Sequence, residues 1–433
     1  MRKFQPGNLS NSARTSVLAQ LRLAKPQITR GKWLSPSNSA YGGEYSFCRA
    51  SNQQCVEYIS SAGILHLYDG WCYLGNALRA LVKNEPFVIG HLAYYAELRA
   101  AMSLLASMGV VNFGEETFCV DKAMRIRRIP SLGGDIKGTH KVVWKRLEDA
   151  FSTQMRPPEF MKLHELFQIE GLSLEEWVNG LSGGCSGLSI VSGYIKEWGI
   201  DIKNYDGDRK ARNKLSYDIS FYQKNQRNTH EEVVAWLSDF WSCFESIGAK
   251  NFLIDYYMLW VILQSVRKAK NWDEKAYKTK LEEFLRTTSM SESSRDRCVA
   301  ILTRTPGQFG QLLSLSRTFA LTSNRYYLHI MSRALILLRI ATIACGDAFK
   351  NAGLRAADLT WWINGGGKEK GLWNEIPEDF STLYEDVENA LEELKTRTVT
   401  TYSDFLLNSF NSESNPFPRL GFSEYAMLWG LPS

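Results

Sequence analysis

Apolar residues recur at helical spacing through most of the chain. Leu67, Trp71, Leu74, Leu78 and Leu81 fall three or four apart, which marks one buried helix face. They predict a helix over Ile64–Val82, in a pattern that begins near Asn52. Pro86 suits the first turn of a second helix, which runs to a C-cap at Gly109. Val110–Val120 then alternates around Asn112-Phe113-Gly114 and reads as a β-hairpin. Helical pattern resumes at His140–Phe151, with Thr139 as its cap. Capping boxes at Ser173/Glu176 and Thr229/Glu232 open two more helices, the latter with Val233, Val234, Trp236, Leu237 and Phe240 as its apolar face. Asn251–Lys270, Glu274–Arg286, Arg295–Leu302, Gln308–Ala320 and Asn324–Ala348 continue the series. Asp379–Leu394 reads as an acidic amphipathic helix, and Gly421–Leu431 as a short final one.

These elements predict an all-α, multi-lobed helical bundle with one small β-hairpin. Residues 1–50, rich in Ser, Asn, Gly and Pro, are expected to be a basic irregular segment. An N-terminal helical lobe with the hairpin follows over 51–156, a central bundle over 157–290 and a C-terminal lobe over 291–433. Pro157-Pro158 marks the first boundary. Two windows, Pro86–Val111 and Asn324–Phe349, approach the apolarity of a bilayer span. Each carries several charged residues, so both read as core helices and no membrane partner is expected. The basic start lacks an apolar stretch behind it, so no secretion signal is expected.

Composition adds two constraints. Eight Cys are scattered without a C-x2-C pair among 433 residues. Reduced thiols, a cytoplasmic location and no metal site or cofactor are the expectation. The net charge of +5 is unevenly spread. Residues 1–43 hold seven Lys or Arg and no acid. Residues 121–146 hold Lys122, Arg125, Arg127, Arg128, Lys137, Lys141, Lys145 and Arg146 against two acids. Glu375–Glu393 holds eight acids and no base. This polarity points to an anionic partner such as nucleic acid at the basic half, or to packing between lobes.

The segment Asp206–Asp218, DGDRKARNKLSYD, places Asp208, Arg212 and Ser216 at four-residue steps on one helix face. Arg212 suits bidentate phosphate binding. The competing reading is an Asp208–Arg212 surface pair with Asn213 as a capping group. The order Arg212-Asn213, three residues, then Tyr217 resembles the HEPN superfamily of helical bundles over about Glu159 to Lys270. Its ribonuclease members carry Arg, a polar residue and then His. Here Tyr217 stands where the His would be, and Tyr does not titrate near neutrality. The resemblance implies a bacterial anti-phage or toxin-type setting. The expected role is binding of a nucleic acid, a partner subunit or a second copy, with Arg212, Asn213 and the Lys122–Arg146 cluster holding phosphate. A metal-independent ribonuclease using Arg212 with Tyr217 or a distant His is one alternative. A purely architectural subunit is the other.

His91, Tyr95 and Arg99 form a four-step stripe with Glu97 nearby, read as an interhelical hydrogen-bond network with Asp69 as partner. Arg325 and His329 share a helix face. Gly183-Gly184-Cys185-Ser186-Gly187 reads as a helix stop rather than a nucleophile elbow. Gly365-Gly366-Gly367-Lys368 lacks P-loop spacing and reads as a loop. The pairs Tyr94-Tyr95, Tyr256-Tyr257, Tyr326-Tyr327 and Trp361-Trp362 offer either core packing or base stacking.

Overall fold

The computed structural model describes residues 4–9, 13–29, 49–132, 136–151, 163–183, 196–217, 228–247, 251–318, 325–360, 362–396 and 417–432. A short strand, β1 (Gln5–Pro6), precedes helix α1 (Arg14–Thr29). Two long helices follow, α2 (Asn52–Val82) and α3 (Pro86–Ser107). Ser51 caps α2 through a complete capping box with Gln54. The short connection turns at Asn84, whose φ of 56° is one an Asn side chain tolerates. That side chain is fastened to Asn228 by bonds of 2.8 and 2.9 Å. Gly109, at φ 84°, ends the α3 turn and directs the chain into β2 (Val110–Phe113).

Strands β3 (Glu116–Val120) and β4 (Ile126–Ile129) complete a four-stranded sheet in the order β1-β4-β3-β2. Beyond it come α4 (Thr139–Phe151), the hairpin β5 (Gln168–Ile169) and β6 (Leu172–Ser173), and α5 (Leu174–Ser182). Next are α6 (Ile202–Tyr217), α7 (His230–Ser242), and the pair β7 (Ser246–Ile247) and β8 (Asn251–Phe252). Helices α8 (Leu253–Ala269), α9 (Glu274–Arg286), α10 (Glu292–Leu302), α11 (Tyr326–Ala352), α12 (Leu383–Thr396) and α13 (Glu424–Trp429) close the series.

Helix α11 is the organising element. It is long and apolar enough to cross a membrane, yet it is buried almost throughout. It packs on α2 and α3, with Leu338 filling the space beside Gly70 and Trp71 Nε1 bonding Thr342 Oγ1 at 3.1 Å. Apolar burial of this kind contributes roughly 25 cal/mol per Å². Two ionic groups on α11 are paired across helices. Arg339 forks onto Asp255 of α8 at 2.7 and 2.8 Å. Asp347 receives Arg14 of α1 at 2.7 Å. Both long apolar windows are therefore core helices, and the chain is mostly α-helical.

The departures from the sequence reading have local causes. The N-terminal segment holds a helix, α1, which packs on α2 and α11. The hairpin is there, in the register Val110↔Cys119 to Phe113↔Glu116, but β4 and β1 extend it into a sheet and two other small hairpins exist. Gln308–Ala320 is not one helix. Gly310, at φ 85°, separates a 3-10 turn (Pro306–Phe309) from the short helix Gln311–Leu315, and Asp239 takes over as cap by accepting from Gln311 N at 2.7 Å. The Gly365–Gly367 stretch is no loop. It belongs to a π-helical turn, Trp362–Gly367, with Gly367 pressed against Trp373. Pro157-Pro158, Cys185 and Trp361 lie outside the described residues.

Candidate functional site

Three helices meet around Arg212. Helix α3 brings His91, Tyr94 and Tyr95, the first turn of α4 brings His140, and α6 brings Arg209 and Arg212. Between the same helices Trp144 of α4 stacks on Tyr205 of α6, parallel to within 3° at 3.8 Å. What seats α6 is Asp208, one turn before Arg212. It points inward, fully buried, and is gripped by both Arg333 of α11 and the Tyr326 hydroxyl. Asp208 and Arg212 therefore do not form the surface pair that their spacing allows.

The Arg212 guanidinium lies over two rings, 5.2 Å from the Tyr94 centroid and 5.5 Å from that of Tyr95. Such cation–π contacts stabilise a partly desolvated guanidinium by roughly 0.5–2 kcal/mol. Its Nε is shut from water and has no hydrogen-bond partner. Among the described residues no carboxylate pairs with it, although the residue is half-buried. The nearest acid on its own helix surface, Asp206, is occupied by Arg209 and Lys210, each at 2.8 Å.

The imidazoles complete the picture. His140 Nδ1 is 2.7 Å from the Tyr94 hydroxyl, and the two rings are parallel within 3°. Burial, then the charges of Arg212 and Arg209, push His140 down to about 4. His91 stacks obliquely on Tyr95 at 5.0 Å and is likewise lowered by burial and then by Arg212. At neutral pH the site thus holds an arginine cation beside two neutral imidazoles, each with a donor and an acceptor nitrogen. This arrangement favours an anion. It also supplies groups that can pass a proton.

The other predicted residues are dispersed. Asn213 is half-buried and, as the next helical residue, turned about 100° from Arg212. Tyr217 ends α6, and its side chain lies outside the described residues. On the sheet, Arg125 and Arg127 both hold Asp121, at 3.1 and 2.9 Å, and Arg128 holds Glu116. Lys145 spans Glu148 and Asp149. Arg146 is buried and bonds Pro130 O and Thr117 Oγ1. Lys122 and Lys141 engage other groups as well. The basic run is thus largely spent on the chain's own acceptors. Arg99 meets Asp69 at 3.5 Å and His66 at 3.0 Å, so the expected Asp69 partner is present. Arg325 pairs with Glu232, while His329 bonds Thr318, so these two do not act as one unit.

Sequence reasoning singled out Arg212, the His91–Tyr95 stripe and the Tyr94-Tyr95 pair separately. His140 was missed. No local signal tied a first-turn histidine on α4 to α3 and α6, because only the packing of the three helices does so. Among the described residues there is no group of three or more metal-ligating side chains. No protein-family model, no curated protein and no solved structure matches the chain.

Proposed function

We propose that the chain binds a phosphate-bearing ligand, a nucleic acid, at the Arg212 site, and works through binding as a component of a bacterial anti-phage defence-type system in the cytoplasm. The observation that carries the binding reading is one half-buried guanidinium, laid on Tyr94 and Tyr95 and left without a carboxylate among the described residues. Phosphate oxygens are its natural complement, and the ring and imidazole faces suit an unpaired base. The defence setting rests on the resemblance of Asp206–Asp218 to HEPN proteins alone. A protein partner fits elsewhere: Glu385, Glu388 and Glu392 make an exposed acidic face on α12, suited to a basic surface.

The test is fluorescence anisotropy with a labelled single-stranded RNA at low salt. Wild-type protein is expected to bind, and Arg212→Ala to weaken binding at least tenfold, the loss of a charge-assisted contact of about 1.5–3 kcal/mol. Equal affinity of the two proteins would remove the site from the account, and no binding by either would favour a purely architectural subunit.

A second reading is metal-independent RNA cleavage. One observation favours it: His91 and His140 flank Arg212, and burial with the Arg212 charge keeps both imidazoles in the neutral form that accepts a proton as general base. Cutting in EDTA that vanishes in both His140→Ala and Arg212→Ala would support it. Cutting that survives Arg212→Ala would defeat it.

A further inference from the structure

Away from the Arg212 site, Cys72 stands out among the six described cysteines as the one that is not buried. It lies on α2 one turn after Tyr68. Lys370 reaches it from the turn that follows the Trp362–Gly367 π-helical segment, a turn closed by Gly371 N to Lys368 O at 3.0 Å and Leu372 N to Gly367 O at 2.9 Å. The Lys370 ammonium sits 2.9 Å from Cys72 Sγ, 4.8 Å from the Tyr68 ring centroid and 3.9 Å from Glu424 Oε1. Glu424, at the start of α13, is 1% exposed, and its Oε2 has no hydrogen-bond partner. A buried carboxylate without a full set of donors, against an amine and a thiol in contact, is costly to maintain for structure alone.

We propose that Cys72 and Lys370 form a reversible covalent sulfur–nitrogen link when the protein meets a peroxide. In the reduced state burial, followed by the Glu424 charge, pushes the Cys72 thiol up to about 12. The pair is then an N–H···S contact, and only the small thiolate fraction held beside the ammonium reacts with peroxide, so oxidation is slow. Sγ attacks a peroxide oxygen, the O–O bond breaks, and the hydroxide leaves with the thiol proton as water, giving the sulfenic acid. Lys370 passes one proton to Glu424, whose affinity for it is raised by burial. The free amine then attacks Sγ, the S–N bond forms and the S–O bond breaks. The departing hydroxide takes a second proton from nitrogen, and Glu424 releases its proton to solvent. One thiol, one ammonium and one hydrogen peroxide yield one sulfenamide, two waters and one proton. The link ties the π-helical turn to α2.

The experiment is peptide mapping of the full chain after hydrogen peroxide, without reductant. Peptides holding Cys72 and Lys370 are expected to run joined, lighter than their sum by two hydrogens, and to separate on adding dithiothreitol. Lys370→Arg keeps the charge at an exposed position but lacks the nucleophile. It should abolish the joined peptide and leave Cys72 open to dimedone. Cys72→Ser should abolish both products. An oxidised wild-type protein with dimedone on Cys72 and no joined peptide overturns the proposal, and so does a joined peptide that persists in Lys370→Arg.

Discussion

Three charged residues are wholly enclosed where α3, α6 and α11 cross. Arg333, Asp208 and Glu97 have no exposed surface, and one cation faces two carboxyl groups. Arg333 forks onto Asp208 and stays 3.6 Å from Glu97, whose oxygens lack hydrogen-bond partners. Burial, then the Asp208 charge, hold the Glu97 carboxyl well above its usual range. Glu97 is therefore the protonated member. The unfolded chain releases this proton in the ordinary carboxyl range while the folded state keeps it, so its contribution to stability, full below that range, is lost as pH rises from there toward the raised folded-state value. Glu97→Gln, which needs no proton to be buried neutral, is expected to match the wild type in acid, to become the more stable protein by up to about 1.4 kcal/mol per pH unit as pH rises above the ordinary carboxyl range, and so to flatten that pH dependence. Arg333→Met, which strands the Asp208 charge, is expected to cost about 3–5 kcal/mol. Urea unfolding at several pH values checks both. The sequence reading noticed Glu97 and Asp208 but paired neither correctly, since spacing along one helix says nothing about an arginine more than a hundred residues away.

At the scale of elements, the legible features were those with local causes. The capping boxes at Ser173 and Thr229 are both complete, because side chain and backbone meet within one turn. Gly109 and Gly183 stop helices with positive φ. Gly310 was not seen as a break, because its partner is the distant Asp239. Gly75 presents a sharper case, sitting inside α2 where helix preference alone favours Ala by about 1 kcal/mol. A Cβ there would stand 2.4 Å from the backbone oxygen of Gly421. Gly75→Ala is thus expected to destabilise the protein by about 1–3 kcal/mol, the cost of overpacking. A stabilised variant in thermal or denaturant unfolding would show that the C-terminal turn does not press on α2.

For the molecule as a whole, most of the clustered basic residues already hold partners within the chain. Arg125, Arg127, Arg128, Lys145 and Arg146 are consumed by the chain's own acceptors. An RNA held at Arg212 should accordingly release few counterions. The logarithm of affinity is expected to fall with that of salt at a slope of about −0.7 to −1.4, as for one or two phosphates on a single strand. A slope several times steeper would mean that the sheet cations let go of their partners to meet the ligand. Helix content and the acidic face of α12 were readable from period and composition. The Arg212 site was readable only in pieces, because three helices far apart in sequence assemble it.

The placement of α11 carries a consequence for biosynthesis. Its apolar surface and its two arginines find partners on α2, α3, α6 and α8, all of which leave the ribosome earlier. Until this segment emerges, those nascent helices lack the rod they close around, so they stay open to chaperones and proteases until α11 has left the ribosome.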